Sequence, residues 1–323
     1  MKIKFTLCQF KPKGPFHLGE REGWLEGSNT FIHSDTLFSA FLNAFLLLFG
    51  KEELKNLLER FENNKPDFLI SSAFPYWQDR FFFPVPKNQI PTEKKLKKIE
   101  FIEKDGFEKL LKGERLDNIF NGLKTIPQEE EPRYPWNLDN VPRVGLSRLD
   151  NHPGERFFYF GEVNYKEDAG FFFLIKYLNE GFKNKFEATI NLLADEGIGG
   201  DRSSGKGFFE YPHFKEIEIE VPDNAEGVIT LSLYYPKDKS EIKGLRDGFY
   251  ELLERKGYIY SPYCKNLRRK SVRMFSEGSI FPKLPERQGR LVSVKPDNFT
   301  LHQVYRYGYL FSLPCQLEVK DEN

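Results

Sequence analysis

The chain has 323 residues, 48 Lys plus Arg against 48 Asp plus Glu, and 16% aromatic residues dominated by 33 Phe and 15 Tyr. That length buries a real core and suggests two domains. The balanced charge excludes a global basic field, so any nucleic-acid contact must come from local patches. Three scattered cysteines, Cys8, Cys264 and Cys315, form no C-x-x-C pair. They argue against a zinc ribbon or a disulfide framework and fit a reducing cytoplasm. The aromatic content suits a strand-rich α+β protein.

Residues 2–10, within "MKIKFTLCQF", alternate as a first strand and lack a signal-peptide core. An irregular segment, "KPKGPFHLGEREGWLEGSNTF", follows and is long enough to be a binding loop. "HSDTLFSAFLNAFLLLFG" then reads as a helix, with Ser34 as N-cap and Leu37, Phe38, Phe41, Phe45 and Leu48 as its buried stripe. Its apolar run is too short to span a bilayer, and the expected location is cytoplasmic. "KEELKNLLERF" extends the helix.

From about 65 to 155 proline recurs, at 66, 75, 84, 86, 91, 127, 132, 135, 142 and 153. This stretch reads as an insertion of short elements. "RFFYFGEVNY" and "GFFFLIKYL", separated by "KEDA", read as a hairpin. A helix over 184–196, a glycine-rich loop and a strand, "FFEYPHFKEIEIEV", complete the unit. The order β-α-(insertion)-β-β-α-(loop)-β is the ferredoxin-like, RNA-recognition-motif topology. Pro222, Asp223 and Asn224 mark a boundary, after which short strand-like segments predict a smaller, degenerate α+β domain. The expected division is 1–221 and 222–323.

The glycine-rich loop, "GIGGDRSSGKGFFE" over 197–210, carries five glycines, an arginine, a lysine and two serines. Gly200, Gly205 and Lys206 have P-loop spacing, but Gly207 stands where the magnesium-binding hydroxyl belongs. The context is also helix-to-strand, the reverse of a P-loop. The dinucleotide fingerprint fails because Arg202 replaces its third glycine. A plain helix-to-strand connection would explain Gly197 as a C-cap. It does not explain Gly197, Gly199, Gly200, Gly205 and Gly207 interleaved with Arg202, Ser203, Ser204 and Lys206. Glycines let a backbone approach a partner and expose N–H groups, while Arg and Lys neutralise phosphate. The loop is therefore read as anion-binding.

Other constellations are weaker. His33 would need a nucleophile or acid partner to act in catalysis, and its neighbours Ser34 and Asp35 do not specify a triad. Five histidines and three cysteines make no metal-ligand set. In "KNLRRKSVR", Lys265, Arg268, Arg269, Lys270 and Arg273 form either a solvated strand edge or a phosphate track. Tyr258, Tyr260 and Tyr263 beside it could stack bases.

"FHLGE", "IHSDTLFSAF", "GIGGDRSSGKGFF", "KSVRMFSEGSIF" and the final "VYRYGYLFSLP" occur in this order. Together they resemble the RAMP superfamily and, within it, the fourth-subunit family of type III-A CRISPR (Csm) effector complexes. The resemblance covers nearly the whole chain. It implies two ferredoxin-like domains, the first with a long insertion bearing a thumb hairpin, and no catalytic activity, cofactor or metal. It further implies a subunit that holds the repeat-derived 5′ handle of the guide RNA. Such a subunit docks the large cyclase–nuclease subunit and the first backbone subunit, and it reaches target RNA through the thumb, expected within residues 137–157. Carried onto this sequence, the RNA-contacting set is His17, Gly19, His33, Ser34, Arg143, Arg148, the glycine-loop residues above, Arg268, Arg269, Lys270 and Arg273. The alternatives are a guide-RNA-processing endoribonuclease of the same superfamily with His33 as general acid or base, and the equivalent type III-B subunit.

Overall fold

The computed structural model describes residues 1–19, 24–94, 96–119, 125–126, 135–146, 149, 157–261, 263–264, 267–282 and 288–319. Its first part runs β1 (Lys2–Phe10), α1 (Ser34–Glu62), β2 (Phe68–Ile70), β3 (Phe74–Trp77), β4 (Arg80–Pro84), β5 (Phe101–Glu103), α2 (Lys104–Leu111), α3 (Leu116–Ile119), β6 (Thr125–Ile126), β7 (Trp136–Val144), β8 (Phe157–Tyr165), β9 (Ala169–Tyr177), α4 (Lys183–Glu196) and β10 (His213–Glu220).

An eight-stranded sheet organises this part in the order β10-β1-β9-β3-β4-β5-β6, with β2 also paired to β9. β9 lies at its centre, hydrogen-bonded along both edges, and its "AGFFFLI" is buried throughout. β10 is one edge of the sheet and β6 the other. The outward carboxylates Glu216, Glu218 and Glu220 of β10 alternate with Lys2 and Lys4 of β1, at 3.6–3.9 Å.

α1 buries Leu37, Phe38, Phe41, Ala44 and Phe45 at helical spacing. It kinks at Gly50, whose φ of +79° is non-helical, and then buries Leu57 and Phe61. Leu48 lies beyond the buried face, exposed just ahead of the kink, contrary to its expected place in the stripe. α4 packs beside α1, with Phe186 and Phe41 stacked at 5.0 Å and Phe68 of β2 5.2 Å from Phe41.

Two expectations need correction. The stretch after residue 65 is not simply appended: β2, β3 and β4 join the main sheet, and Phe68, Phe74, Phe82, Phe83, Phe101 and Phe107 are buried in its core. "RFFYFGEVNY" and "GFFFLIKYL" do not form a hairpin with each other. β8 pairs with β7 over nine residues, from Trp136↔Tyr165 to Val144↔Phe157, while β9 goes to β1, β2 and β3. The apolar run of β9, Ala169–Ile175, lies between β1 on one edge and β2 and β3 on the other, which leaves β8 to pair with β7.

The remainder comprises β11 (Gly227–Thr230), α5 (Lys239–Lys243), β12 (Leu252–Arg255), β13 (Val272–Phe275), β14 (Ile280–Pro282), β15 (Leu291–Ser293), β16 (Tyr305–Tyr307) and β17 (Ser312–Cys315). These strands make small sheets, β14-β11-β17, β12-β13 and β15-β16. The only α-helix among the described residues here is the short α5, so the α+β expectation holds in a reduced form. This part is fastened to α1 through aromatic rings: Tyr307 lies 5.0 Å from Phe38 and Tyr309 5.6 Å from Phe61. Tyr309 Oη donates to Phe61 O, and Tyr307 Oη accepts from Ile70 N at 3.1 Å.

Candidate nucleic-acid interface

The glycine loop leaves α4 at Gly197, whose N–H bonds to Leu193 O at 2.8 Å as a C-cap. It then folds back on itself and against residues 15–18. Ile198 N donates to Gly207 O, Gly200 N to His17 O and Gly207 N to Pro15 O, all at 2.9–3.0 Å. Gly205 N donates to Arg202 O, closing a 3₁₀ turn over Arg202–Ser204. These glycine N–H groups are thus used inside the protein, which corrects the expectation that they are held out for an anion. What the glycines supply is close approach. A Cβ on Gly199, at φ +100°, would stand 2.4 Å from His17 O, and one on Gly207 2.3 Å from Ile198 O.

The charged residues of the loop are also engaged. Arg143, on β7, pairs with Asp201 at 2.6 Å and Glu162 of β8 at 2.9 Å, and its guanidinium lies 4.5 Å from the Phe160 ring centroid. Lys206 pairs with the same Glu162 carboxylate. Burial alone would raise the Glu162 carboxyl, but hydrogen bonds from Lys206 and Arg143 outweigh it and hold the group below the usual carboxylate range. Asp201 behaves alike, its burial outweighed by Arg143 and Ser204. The loop is therefore tied to the β7–β8 hairpin through two acids that sequence reasoning missed. Nothing in the linear pattern signals them, because Glu162 reads as a polar position in a strand.

His17 is buried beneath the loop, its Nδ1–H donating to Gly161 O at 2.8 Å and its ring 4.3 Å from Phe160. Gly19 is exposed beside it and bridges Ser28. Ser203 and Ser204 are exposed on the turn. Arg148 lies outside the described residues.

His33 and Ser34 sit elsewhere and are interior, so a direct RNA contact is not available to them. His33 Nδ1 meets Glu277 Oε1 at 2.9 Å, and Ser72 Oγ donates to the same carboxylate. Glu277 is held below the ordinary range because its pairing with His33 and Ser72 outweighs the upward push of burial. Ser34 is inside α1 rather than its cap; its Oγ accepts from Leu233 N at 3.0 Å. Both residues fasten the start of α1 to the C-terminal part.

Asp35, next in sequence, does the same more strongly. It receives Arg255 Nε and Nη2 at 3.0 and 2.9 Å, and Arg306 Nη1 as well. Despite full burial its carboxyl is held far below the normal range by these two arginines.

The basic run divides between surface and interior. Arg268, Lys270 and Arg273 are exposed. Arg269 points back, with Nε donating to Tyr258 O at 2.8 Å; burial, with Arg306 nearby, pushes it down to about 10. Tyr258 bridges to Arg268 across the turn, and the Arg268 guanidinium lies 5.9 Å from its ring. Two residues on, Tyr260 carries the Arg202 guanidinium of the glycine loop 4.8 Å from its ring centroid. The fold thus brings the loop, the β7–β8 hairpin and the Tyr258–Arg268 edge, all distant in sequence, next to one another.

Residues 223–315 match the model of the CRISPR Csm4 C-terminal domain. A CRISPR system Csm4 protein of Methanocaldococcus jannaschii is 28% identical over 327 residues, covering 86% of this chain and 85% of that protein. One of Thermococcus onnurineus is 28% identical over 330 residues, covering 97% and 98%. The chain is similar to these Csm4 proteins over nearly its whole length. The fold agrees. A chain in the crystal structure of a Csm3–Csm4 subcomplex of the type III-A interference complex superposes with a TM-score of 0.65 at 22% identity, over 96% of this chain and 99% of that one. One in a Csm1–Csm4 cassette bound to pppApA gives 0.62 at 24% identity, over 98% and 99%. A type III-B Cmr-beta chain gives 0.54 at 12%, over 85% and 86%. The matched C-terminal domain includes Tyr260 and Arg268, while the glycine loop and hairpin lie before it.

Proposed function

We propose that this protein is a non-catalytic RNA-binding subunit of a type III-A CRISPR ribonucleoprotein, holding the repeat-derived 5′ handle of the guide RNA. The observation that carries the reading is the region where the glycine loop, the β7–β8 hairpin and the Tyr258–Arg268 edge meet. It offers cations for phosphates and exposed aromatic rings for bases, the combination that single-strand binders use. The endoribonuclease alternative loses its residue, because His33 is buried against Glu277.

In this reading β1, α1, β2, β9, α4 and β10 form a ferredoxin-like unit, supported by the strand order β10-β1-β9-β2 and the paired helices. The unit closes near residue 221, and residues from 222 on form the second domain. The β7–β8 hairpin, which stands off the main sheet with Leu138, Val144, Phe157 and Tyr159 exposed, serves as the thumb. Its tip falls outside the described residues. The large cyclase–nuclease subunit and the backbone subunit are the protein partners, by likeness to the proteins found in the Csm1–Csm4 and Csm3–Csm4 assemblies.

The test is binding of the purified full chain to repeat-derived guide RNA against a scrambled RNA of equal length, with cleavage followed in the same tubes. Preferential binding without cleavage is expected. Equal binding of both RNAs, or cleavage lost on His33→Ala, overturns the proposal.

A further inference from the structure

Behind the Arg202–Tyr260 contact lies a cleft of about 570 Å³, lined by Asp195, Glu196, Gly199, Arg202, Phe208 and Tyr260 among others. That is room for a nucleoside, within the usual range of small-ligand sites. One wall is a stacking platform. Tyr260 is 63% exposed and carries the Arg202 guanidinium at 4.8 Å. Arg202 is itself steadied by Nη1 donating to Glu196 O at 3.2 Å and Gly197 O at 3.5 Å. The other wall carries the carboxylates of Asp195, paired with Lys13 at 3.7 Å, of Asp201, paired with Arg143 at 2.6 Å, and of Glu196.

Those carboxylates offer hydrogen-bond acceptors rather than cations. They suit a nucleobase, which is uncharged, presents N–H donors along its edge and has a π-face for the phenol or the guanidinium. We propose that this cleft is a stacking subsite that seats one unpaired nucleobase of single-stranded RNA on Tyr260 and Arg202, with the sugar–phosphate backbone running outside. The inference rests on the RNA-binding reading above and refines it: Arg202 contacts a base, whereas the phosphates are met along the Arg268 edge.

The test uses the full chain and two labelled probes of ~12 nucleotides, a length within the span of single-strand sites. One is oligoadenylate and the other an abasic strand with the same number of phosphates. Tyr260→Ala should weaken oligoadenylate binding by about 5- to 150-fold, the loss expected for one stacked base. Tyr260→Phe should retain binding. Binding of the abasic strand, and the slope of log affinity against log salt, should be the same for Tyr260→Ala and the unaltered protein, because no phosphate contact is removed. Thermal melting confirms that the exposed substitution leaves the fold intact. Unchanged oligoadenylate binding in Tyr260→Ala, an equal loss on the abasic strand, or a slope flatter by about one unit overturns the inference while RNA binding stands. Failure of the unaltered protein to bind oligoadenylate overturns the inference alone, since the RNA-binding reading is judged by the guide-RNA test above.

Discussion

Asp35→Asn gives the sharpest test of how the two parts of this protein are joined. The Asp35 carboxylate is fully buried, and it receives a bidentate fork from Arg255 and a third bond from Arg306, whose side chains are 12% and 4% exposed. Asparagine keeps the shape and one acceptor but removes the charge, so two guanidiniums remain without their counter-ion. Breaking a buried pair from one side costs about 3–5 kcal/mol, and the loss should appear as a lower urea midpoint at unchanged m-value. The pH dependence separates charge from packing. A carboxyl whose folded pKa lies below its unfolded value, near 3.9, contributes stability that is full above that value and is lost as pH falls toward the folded one. Below about pH 4 the unaltered protein should therefore lose this contribution at about 1.4 kcal/mol per pH unit. The gap to Asp35→Asn should narrow at that rate. A deficit under about 1 kcal/mol near neutrality, or one that stays constant down to pH 3, would refute the assignment of Asp35 as the charge that fastens β12 and β16 to α1.

Glu162→Gln should release Lys206, while Arg143 keeps Asp201, so that RNA binding gains a salt slope steeper by about one unit; an unchanged slope would mean that the freed Lys206 does not reach phosphate. Gly199→Val, which drives a Cβ against His17 O, should melt well below the unaltered protein. Gly205→Ala meets open space at φ +83° and should cost only the ~1–2 kcal/mol of a left-handed residue; equal losses would contradict the close-approach account. Arg268→Ala with Lys270→Ala should flatten the salt slope by about two units with little change in melting temperature. Arg269→Ala should instead lower stability, because Arg269 is anchored on Tyr258 O. The reverse pattern would exchange their roles.

β1 and the first half of α1 were legible because their periodicities are clean, and α4 because Phe186, Ile190, Leu193 and Ala194 share one face and Gly197 stops it. The stretch after 65 misled because proline suggests loops, yet Pro75 and Pro84 are accommodated within β3 and β4 while the neighbouring phenylalanines fill the core. The hairpin error had a different source. Two apolar runs with a short connection fit a hairpin, but strand pairing is decided by which faces need covering, and the linear pattern does not show the partners β7 and β1. In the site, the unusual density of glycines was readable and its cause was not. Contact between residues 197–207 and residues 15–18 is tertiary, as are the Glu162 and Asp201 counter-ions and the meeting of Arg202 with Tyr260.

The outer strand β10 has a consequence for how the protein behaves in concentrated solution. An unpaired strand edge invites a second molecule to add its own edge, the first step of open-ended sheet growth. Here an in-register antiparallel pairing would bring Glu216, Glu218 and Glu220 of one copy beside the same three carboxylates of another, with Lys2, Lys4 and Lys112 already engaged within each copy. The charge ladder that closes this side of the sheet therefore also discourages self-association, and its neutralisation at acid pH should be where the protein first precipitates.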